Sequence, residues 1–511
     1  MRLSVVAGLV AGACLAAAAT QADAQSFSRR FDLIRLQDRA VAAAGAVFQS
    51  SGKACSSQAP ALRSVYDDPR FDRMTPEIRR TALYAIMVCA EGEDLPFAVQ
   101  AARRLEPLAE EPAEIGAVHS VQISEAMQRG ATVEAARIFL SLLETQPQVV
   151  AGWEPEMIGP FADYIDEDPE LSLKLAGRLA SVEWTNEASR RAAANAWALS
   201  YGWQLADRGR LAEAGAAVAR ADDLYVMLIV AGDRRFARVW DRFAAEKRFD
   251  WTALAEARLA RATAEVADRP ASLRPADDMI GALRALGRLK EAIQVGEAFR
   301  ARLQDGEAFD DPGQRDDVLI GLAQALFEAG RYAESEAVFR EAIGEDADDR
   351  QVDARLAFAG RLLDLSRPKE VLEVLSAIDD GDVTPYGRLW IQSQRACALV
   401  ALDPAAYEAA LDGLRKGKGE NPAALSQALI CGDRLPEARA LMIERLNTPR
   451  HRAGALDPYW VTRGPADQPA WLAEFERRRQ LVLNDPAVLA ALAAVGRKVE
   501  APLWGDYWGG F

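Results

Sequence analysis

The sequence predicts an all-α protein built as an α-solenoid, or superhelix, of helical hairpins, with a short helical cap near its C-terminal end. Alanine, leucine, arginine and glutamate dominate the 511 residues and only 7% are aromatic, a composition that favours helices almost everywhere. Apolar residues recur at helical spacing in segments that glycines interrupt. Such segments follow one another along most of the chain, which is the pattern of a repeat architecture.

The clearest hairpin lies at residues 318–343, VLIGLAQALFEAGRYAESEAVFREAI. The apolar positions before Gly330, which include Ala323, fall on one helical face, and those after it, such as Ser335 and Phe339, fall on another. The glycine provides the turn that folds the second helix back on the first. Since one hairpin cannot bury both apolar faces, similar neighbours are expected.

Ten positions, Ser335 among them, follow one another at steps of 33 to 43 residues. They are Ala98, Ala135, Leu171, Ala214, Ala253, Ala292, Ser335, Val371, Ala405 and Ala438. With the turn glycines and the Glu-Ala pairs that open several second helices, they resemble the tetratricopeptide repeat (TPR) family, whose step is about 34 residues. The resemblance covers residues 45–450 and implies TPR-like helical hairpins.

The N-terminus predicts a secretory signal peptide over residues 1–24. Arg2 is followed by an apolar run over residues 3–19 and by small residues at Ala22 and Ala24, which is typical of a segment cleaved during bacterial export. A short membrane anchor is the alternative. We expect a periplasmic or secreted protein without a transmembrane segment, because no later stretch approaches the roughly 18 apolar residues of a span.

The remaining chain is expected to divide near residue 450. Residues 25–450 would form the solenoid of about ten to eleven hairpins, and residues 451–511 a connecting loop, capping helices and an aromatic C-terminal tail. The capping helices are predicted from Ala470 to about Val482 and from Pro486 to Val495, where helical periodicity returns.

Four cysteines follow the signal segment, and their spacing predicts two disulfides. Cys55 and Cys89 are 34 residues apart, and so are Cys397 and Cys431. No Cys-x-x-Cys pair suggests a metal, and an even number of cysteines in an oxidising compartment favours disulfides 55–89 and 397–431. Each would stabilise the fold by a contribution on the order of 3 kcal/mol. Four buried free thiols are the alternative.

The sequence offers no chemistry that we recognise as catalytic. The net charge of −15 argues against nucleic acid as a partner. His119 and His451 are far apart and have no partners at metal-ligand spacing, and nucleotide or nucleophile-elbow motifs are absent. Ser366 and Lys369 match a Ser-x-x-Lys motif without its companion motifs. We therefore expect a protein that is not an enzyme and has no cofactor or metal.

The family resemblance implies that partners bind along a concave face formed by the first helices. On that face we expect Trp203, Gln324, Gln394 and Gln427. The three glutamines could hydrogen-bond an extended peptide, and Trp203 could act as its apolar anchor. The alternative is ordinary solvated helix surface.

The C-terminal tail is a second candidate binding element. Trp504, Tyr507, Trp508 and Phe511 lie within eight residues, next to glycines, and such a cluster usually buries itself against something. Packing onto the last helices is one outcome. Insertion into a partner, or into another copy of the chain, is the other, so homo-oligomerisation stays open.

Together these features predict a non-catalytic periplasmic scaffold that binds a peptide or protein partner, such as an envelope protein, in a concave groove. Its role would lie in cell-envelope assembly, an inference from fold analogy. Two alternatives stay open: an enzyme acting on cell-wall glycan through carboxylates not recognised in the sequence, and a structural homo-oligomer that uses the aromatic tail.

Overall fold

The computed structural model describes residues 32–49, 55–90, 94–153, 158, 168–185, 187–344, 352–378, 383–465 and 467–505. The chain divides into two compact units, Met1–Tyr201 and Gly202–Phe511. Most described residues are helical, which confirms the predicted all-α class apart from two short strands. The predicted signal segment, residues 1–24, lies outside the described residues.

The described part of the first unit consists of helices. They span residues 32–49, Cys55–Tyr66, Pro76–Ala90, Leu95–Leu105, Pro112–Gln128, Thr132–Thr145, Pro147–Val150, Pro169–Ser181 and Glu187–Ala194, and Ala196–Asp207 continues into the second unit.

The second unit contains further helices and both strands. Its helices span Leu211–Ala217, Leu224–Gly232, Ala237–Ala245, Trp251–Asp268, Arg274–Ala285, Leu289–Gln304, Arg315–Glu328, Tyr332–Ile343, Val352–Asp364, Pro368–Ser376, Pro385–Leu402, Pro404–Lys416, Pro422–Cys431, Leu435–Asn447, Pro449–Leu456, Ala470–Leu483 and Pro486–Val495. Strand β1 is Trp460–Arg463 and strand β2 is Val499–Trp504.

Several helices begin at an Asp-Pro or Asn-Pro pair. The side chain of the first residue accepts a hydrogen bond from a backbone N–H of the first turn, and proline fits the first helical position because it has no N–H to leave unpaired. These pairs set where the helices start. They are Asp168-Pro169, Asp403-Pro404, Asn421-Pro422 and Asp485-Pro486.

Glycine turns join the hairpin helices, as the sequence predicts. Gly130, Gly209, Gly287 and Gly330 have φ angles between +71° and +76°, a range that side chains with a Cβ rarely adopt. The N–H that follows Gly330 donates to the carbonyl oxygen of Leu326 at 2.9 Å and closes the end of the first helix. Ser366 has a similar φ of 61°, so its Ser-x-x-Lys match is a hairpin turn.

The packing of the second unit is that of a repeat-like helical protein. From Trp251–Asp268 to Pro449–Leu456 each α-helix contacts the next one, and the first helices of successive hairpins also contact each other. One such row runs through Arg274–Ala285, Arg315–Glu328, Val352–Asp364, Pro385–Leu402 and Pro422–Cys431. A shared apolar core joins consecutive hairpins, so each hairpin is stabilised by its neighbours.

Small residues bring the hairpin helices together at the predicted position. Ser335 is 1% exposed, and its hydroxyl donates to the carbonyl oxygen of Ala323 at 2.7 Å. The methyl-sized side chain of Ala323 is fully buried at the same crossing. A larger residue at either position would separate the two backbones.

Both predicted disulfides are present. Cys55 pairs with Cys89 in the first unit, and Cys397 pairs with Cys431 in the second. The Cys397–Cys431 bond links the first helices of two successive hairpins, Pro385–Leu402 and Pro422–Cys431, whereas the Cys55–Cys89 bond joins the start of helix Cys55–Tyr66 to the end of the next α-helix, Pro76–Ala90. These bonds are compatible with a secreted or periplasmic protein.

The segment after residue 450 differs from the loop that we predicted. The two capping helices occur as Ala470–Leu483 and Pro486–Val495. However, the supposed loop contains β1, and the supposed tail contains β2, which pairs with β1 in parallel. The prediction failed because each strand depends on a partner about 40 residues away, which local periodicity does not reveal.

The C-terminal segment docks on helices Leu224–Gly232 and Ala237–Ala245 of the second unit. The backbone N–H of Arg497 donates to the carbonyl oxygen of Gly232 at 2.9 Å, and its Nε donates to that of Ala231 at 2.7 Å. Its guanidinium also lies 3.8 Å from the ring centroid of Trp240.

Removing the second disulfide should lower stability through the unfolded state. We expect the double substitution Cys397→Ala and Cys431→Ala to reduce the free energy of unfolding by about 3 kcal/mol, because a closed 34-residue loop is released in the unfolded chain. Urea titration measures this. In a reducing buffer the difference between wild type and variant should shrink to near zero, and a difference that persists there would contradict the assignment.

The contact beside Arg497 should be sensitive to one methyl group. In Gly496→Ala the new Cβ would lie 2.6 Å from the carbonyl oxygen of Gly232 and 2.6 Å from Leu456. We expect a loss of about 1–3 kcal/mol by urea unfolding. Gly313→Ala is the matched control, since its Cβ would meet nothing within 4 Å. Equal stability of the two variants would show that the segment is not docked.

Candidate functional site

A cavity of about 540 Å³ lies within the second unit. Helix Arg315–Glu328 forms one wall, helix Ala470–Leu483 another, and β1 runs along a third. Consecutive residues 460–465 all line it, so the backbone of β1 faces the cavity as well as its side chains. Gly505, which follows β2, also reaches this space.

A buried arginine organises one wall of this large cavity. Arg284 is 7% exposed, and its Nη1 donates to Oε1 of Gln324 at 2.6 Å. Its guanidinium also forms an ion pair with Glu328. Because two acceptors hold the arginine, the side chains of Gln324 and Glu328 are fixed in position, and Gln324 retains its amide N–H groups for a ligand.

The charge of the large cavity is opposite in sign to that of the chain. Five basic side chains line it, against three acidic ones, whereas the whole chain carries −15. A cavity with one excess sign concentrates ligands of the other sign. The lining charges are Arg284, Arg361, Arg463, Arg479 and Lys498, and Glu328, Asp467 and Glu476.

A second cavity of about 220 Å³ adjoins the first. The two share lining residues, among them Arg361 and Leu472. The small cavity has mainly apolar walls, which include Met442, Trp471 and Phe475. The rings of Trp471 and Phe475 are stacked, with centroids 5.4 Å apart.

Four buried polar atoms on residues that line the small cavity have no hydrogen-bond partner among the described residues. They are Nε of Arg361, Oε1 of Gln427, Nε of Arg445 and Oδ1 of Asp457. The other nitrogens of Arg445, which is 5% exposed, donate to Ser426 and to the carbonyl oxygen of Gly454. Buried polar atoms are nearly always paired in native proteins, so four unpaired ones around one cavity make it a candidate ligand site.

Burial also shifts the acidity of this pair of charged groups. It raises the pKa of Asp457 to about 7, with Arg445 acting in the opposite direction. It lowers the pKa of Arg445 to about 10, against the influence of Asp457. Each group is thus held where its charged form is costly, which is common at functional sites.

The structure brings together only some of the predicted site residues. Gln324 lines the large cavity and Gln427 lines the small one. Trp203 lines neither cavity: it donates from Nε1 to Asp233 at 3.2 Å and stacks beside Arg235. It is therefore held in an internal network of the second unit.

Gln394 does not project from an open face as predicted. Its side chain is fully buried and donates from Nε2 to the carbonyl oxygen of Leu356 at 3.1 Å. Its helix, Pro385–Leu402, packs against helices on more than one side. Helical periodicity could not show this, because a face that looks polar can be covered by the next hairpin.

The aromatic tail is described only up to Gly505. Trp504 packs over Gly287, where a Cβ would lie 3.4 Å from the indole ring. Tyr507, Trp508 and Phe511 lie outside the described residues.

Sequence reasoning missed Arg284, Arg445 and Asp457. In the sequence, Arg445 looks like any exposed arginine on an amphipathic helix, and no signal would have distinguished it. Asp457 stands in the run Asp-Pro-Tyr-Trp, whose aromatic residues beside a carboxylate were the one available hint of burial.

Neither a metal site nor a membrane-spanning helix was found in the described parts of the chain. There, no group of three or more His, Cys, Asp or Glu side chains is placed to hold a metal ion. The helices of those parts are all too short or too polar to cross a bilayer.

Comparisons with known proteins give no family. No protein-family model matches the chain. No curated protein matches it. Among solved structures, a chain described as a circular tandem repeat protein with novel repeat topology and enhanced subunit contact surfaces is 15% identical, covering 90% of this chain and 98% of its own length, with a TM-score of 0.14. A likeness at that TM-score does not establish a common fold.

The buried carboxylate predicts a dependence of stability on pH. The folded-state pKa of Asp457, about 7, lies above its ordinary value of 3.8, so the folded protein binds this proton more tightly than the unfolded chain. The free energy of unfolding should therefore fall as pH rises from about 4 to 7. Asp457→Asn should remove up to about 4 kcal/mol of this loss.

The measurement is urea unfolding of wild type and Asp457→Asn at a series of pH values from 4 to 8. The stability of the variant relative to wild type should increase across that interval and level off above it. Parallel curves would mean that the carboxylate is solvated.

Proposed function

We propose that the second unit binds an extended, acidic segment of a protein partner in the large cavity. The observation that carries this proposal is the free edge of β1. In the described part of the chain β1 pairs only with β2, and its residues line a cavity with an excess of basic side chains. An extended peptide could add a third strand there.

The size and composition of the cavity support a peptide ligand. A volume of about 540 Å³ is within the usual range for ligand pockets, and it would hold a few residues of an extended chain. Backbone N–H and C=O groups of β1 would provide hydrogen bonds that do not depend on sequence. Lys498 would select for acidic residues, whereas Arg479 is already paired with Glu476.

We propose further that the hairpins are TPR-like and form a solenoid, and that the protein is exported and serves as a binding scaffold. Glycine turns, the close crossing at Ser335 and the row of first helices support the repeat proposal. The two disulfides support export. An envelope protein is the partner that this location would provide.

Binding is favoured over glycan cleavage for one reason. Glycosidases use two carboxylates that flank the scissile bond. Arg445 is the charged group that acts on the pKa of Asp457. This buried carboxylate therefore interacts with a cation. An arginine beside a carboxyl group suits recognition of a polar ligand.

A defined peptide tests the proposal. The probe is a fluorescein-labelled octapeptide that alternates valine and glutamate, compared with its valine–lysine counterpart by fluorescence anisotropy. We expect the acidic peptide to bind at least about tenfold more tightly, since the cavity is basic. Binding should weaken as salt is added. Equal binding of the two peptides, or binding of neither, would contradict the proposal.

Charge reversal tests the place of binding. Lys498→Glu should lower the affinity for the acidic peptide by about tenfold, because this exposed side chain lines the large cavity. Lys290→Glu is the matched control: the residue is exposed in the same unit but lines neither described cavity. A similar loss of affinity in both variants would indicate an effect of net charge alone.

A further inference from the structure

The small cavity combines apolar and polar walls. Its apolar walls include Met442, Trp471 and Phe475. Gln427, Arg445 and Asp457 are among its polar residues, which also include Arg361, Asp364, Ser426, Glu476 and Arg479. Its volume of about 220 Å³ exceeds the size of one large side chain and is too small for a folded partner. The cavity therefore suits a single amphipathic group.

The unpaired atoms define the hydrogen bonds that this group should make. Nε of Arg445 is a donor, and Oε1 of Gln427 is an acceptor. Oδ1 of Asp457 accepts when the carboxyl group is ionised. None of the three has a protein partner among the residues described. A ligand that both donates and accepts would relieve them, whereas a purely apolar ligand would leave them buried and unpaired.

We propose that the small cavity is a recognition pocket for a phenol, that is, for a tyrosine side chain of the peptide bound in the large cavity. The ring would pack among the aromatic walls. Its O–H would donate to Gln427 or Asp457 and accept from Nε–H of Arg445. This proposal deepens the proposed function and rests on it for the source of the tyrosine.

The two cavities are arranged for such a ligand. Residues shared by both, including Arg361 and Leu472, form the passage between them. A peptide lying along β1 could thus direct one side chain into the small cavity while its backbone stays in the large one. Specificity of this kind is strong when a site is built around a hydroxyl, because the analogue without it leaves buried groups unpaired.

The test uses small probes so that it does not depend on peptide binding. The affinity of the full-length protein for N-acetyl-tyrosinamide is compared with that for N-acetyl-phenylalaninamide by calorimetry or ligand-observed NMR. We expect the tyrosine probe to bind at least about tenfold more tightly. Equal affinities, or binding of neither probe, would overturn the proposal.

Two variants test whether the preference for the tyrosine probe arises in the small cavity. Gln427→Leu removes one acceptor while keeping the size of the side chain, and it should reduce the preference for tyrosine to less than about threefold. Gln468→Leu is the control, because Gln468 is exposed and lines only the large cavity. Met442→Phe should narrow the small cavity and weaken the binding of both probes. A full preference for tyrosine in Gln427→Leu would show that the phenol binds elsewhere.

The two proposals can fail separately. If the valine–glutamate peptide binds and the tyrosine probe does not, the phenol pocket is wrong and the peptide site stands. If the tyrosine probe binds selectively but the peptide does not, the pocket stands and the proposed function is wrong. Unchanged peptide affinity in Gln427→Leu would confirm that the two measurements report on different cavities.

Discussion

The second unit depends on the contact that Arg497 makes with the end of helix Leu224–Gly232. This contact joins parts of the chain separated by 266 residues, so its formation costs chain entropy that local helix formation does not. Two hydrogen bonds to carbonyl oxygens and the face of Trp240 offset that cost. β2 begins two residues later and buries Val499, Ala501 and Leu503 on one side, while β1, its partner, forms a wall of the large cavity. The contact at Arg497 and the buried side of β2 thus both support that wall.

The two cavities differ in whether their buried charged groups have all their hydrogen-bond partners. In the large cavity Arg284 is buried but fully engaged by Gln324 and Glu328, an arrangement that serves to position side chains. In the small cavity Arg445 and Asp457 influence each other's pKa, yet each retains an unpaired buried atom. Such atoms lower stability. Proteins retain destabilising groups mainly where function requires them. The unpaired atoms of the small cavity, compared with the fully paired Arg284 of the large one, are the reason to place ligand recognition in the small cavity.

Local features of the fold could be predicted from the sequence, and long-range ones could not. Glycines such as Gly330 mark turns because few other residues adopt their φ angle, and Ser335 marks a close crossing because nothing larger fits. The disulfide between Cys397 and Cys431 follows from a spacing that matches one hairpin. The strands escaped prediction because β1 and β2 have their partners far along the chain. Gln394 was misplaced because a polar residue on a helix does not reveal whether the next hairpin covers it, and Arg445 gave no signal because buried and exposed arginines occupy the same helical positions.

The cavity wall formed by β1 depends on the docking of the segment that begins at Arg497. Hydrogen–deuterium exchange tests this docking most directly when it is read out for the amide of Arg497, which donates to Gly232, and for the amides of β2 that donate to β1 (Pro502 has none). We expect these amides to exchange at least about a hundredfold more slowly than amides of an unstructured chain, and about as slowly as those of helix Leu224–Gly232. Exchange at the rate of an unstructured chain, while that helix stays protected, would contradict the docking.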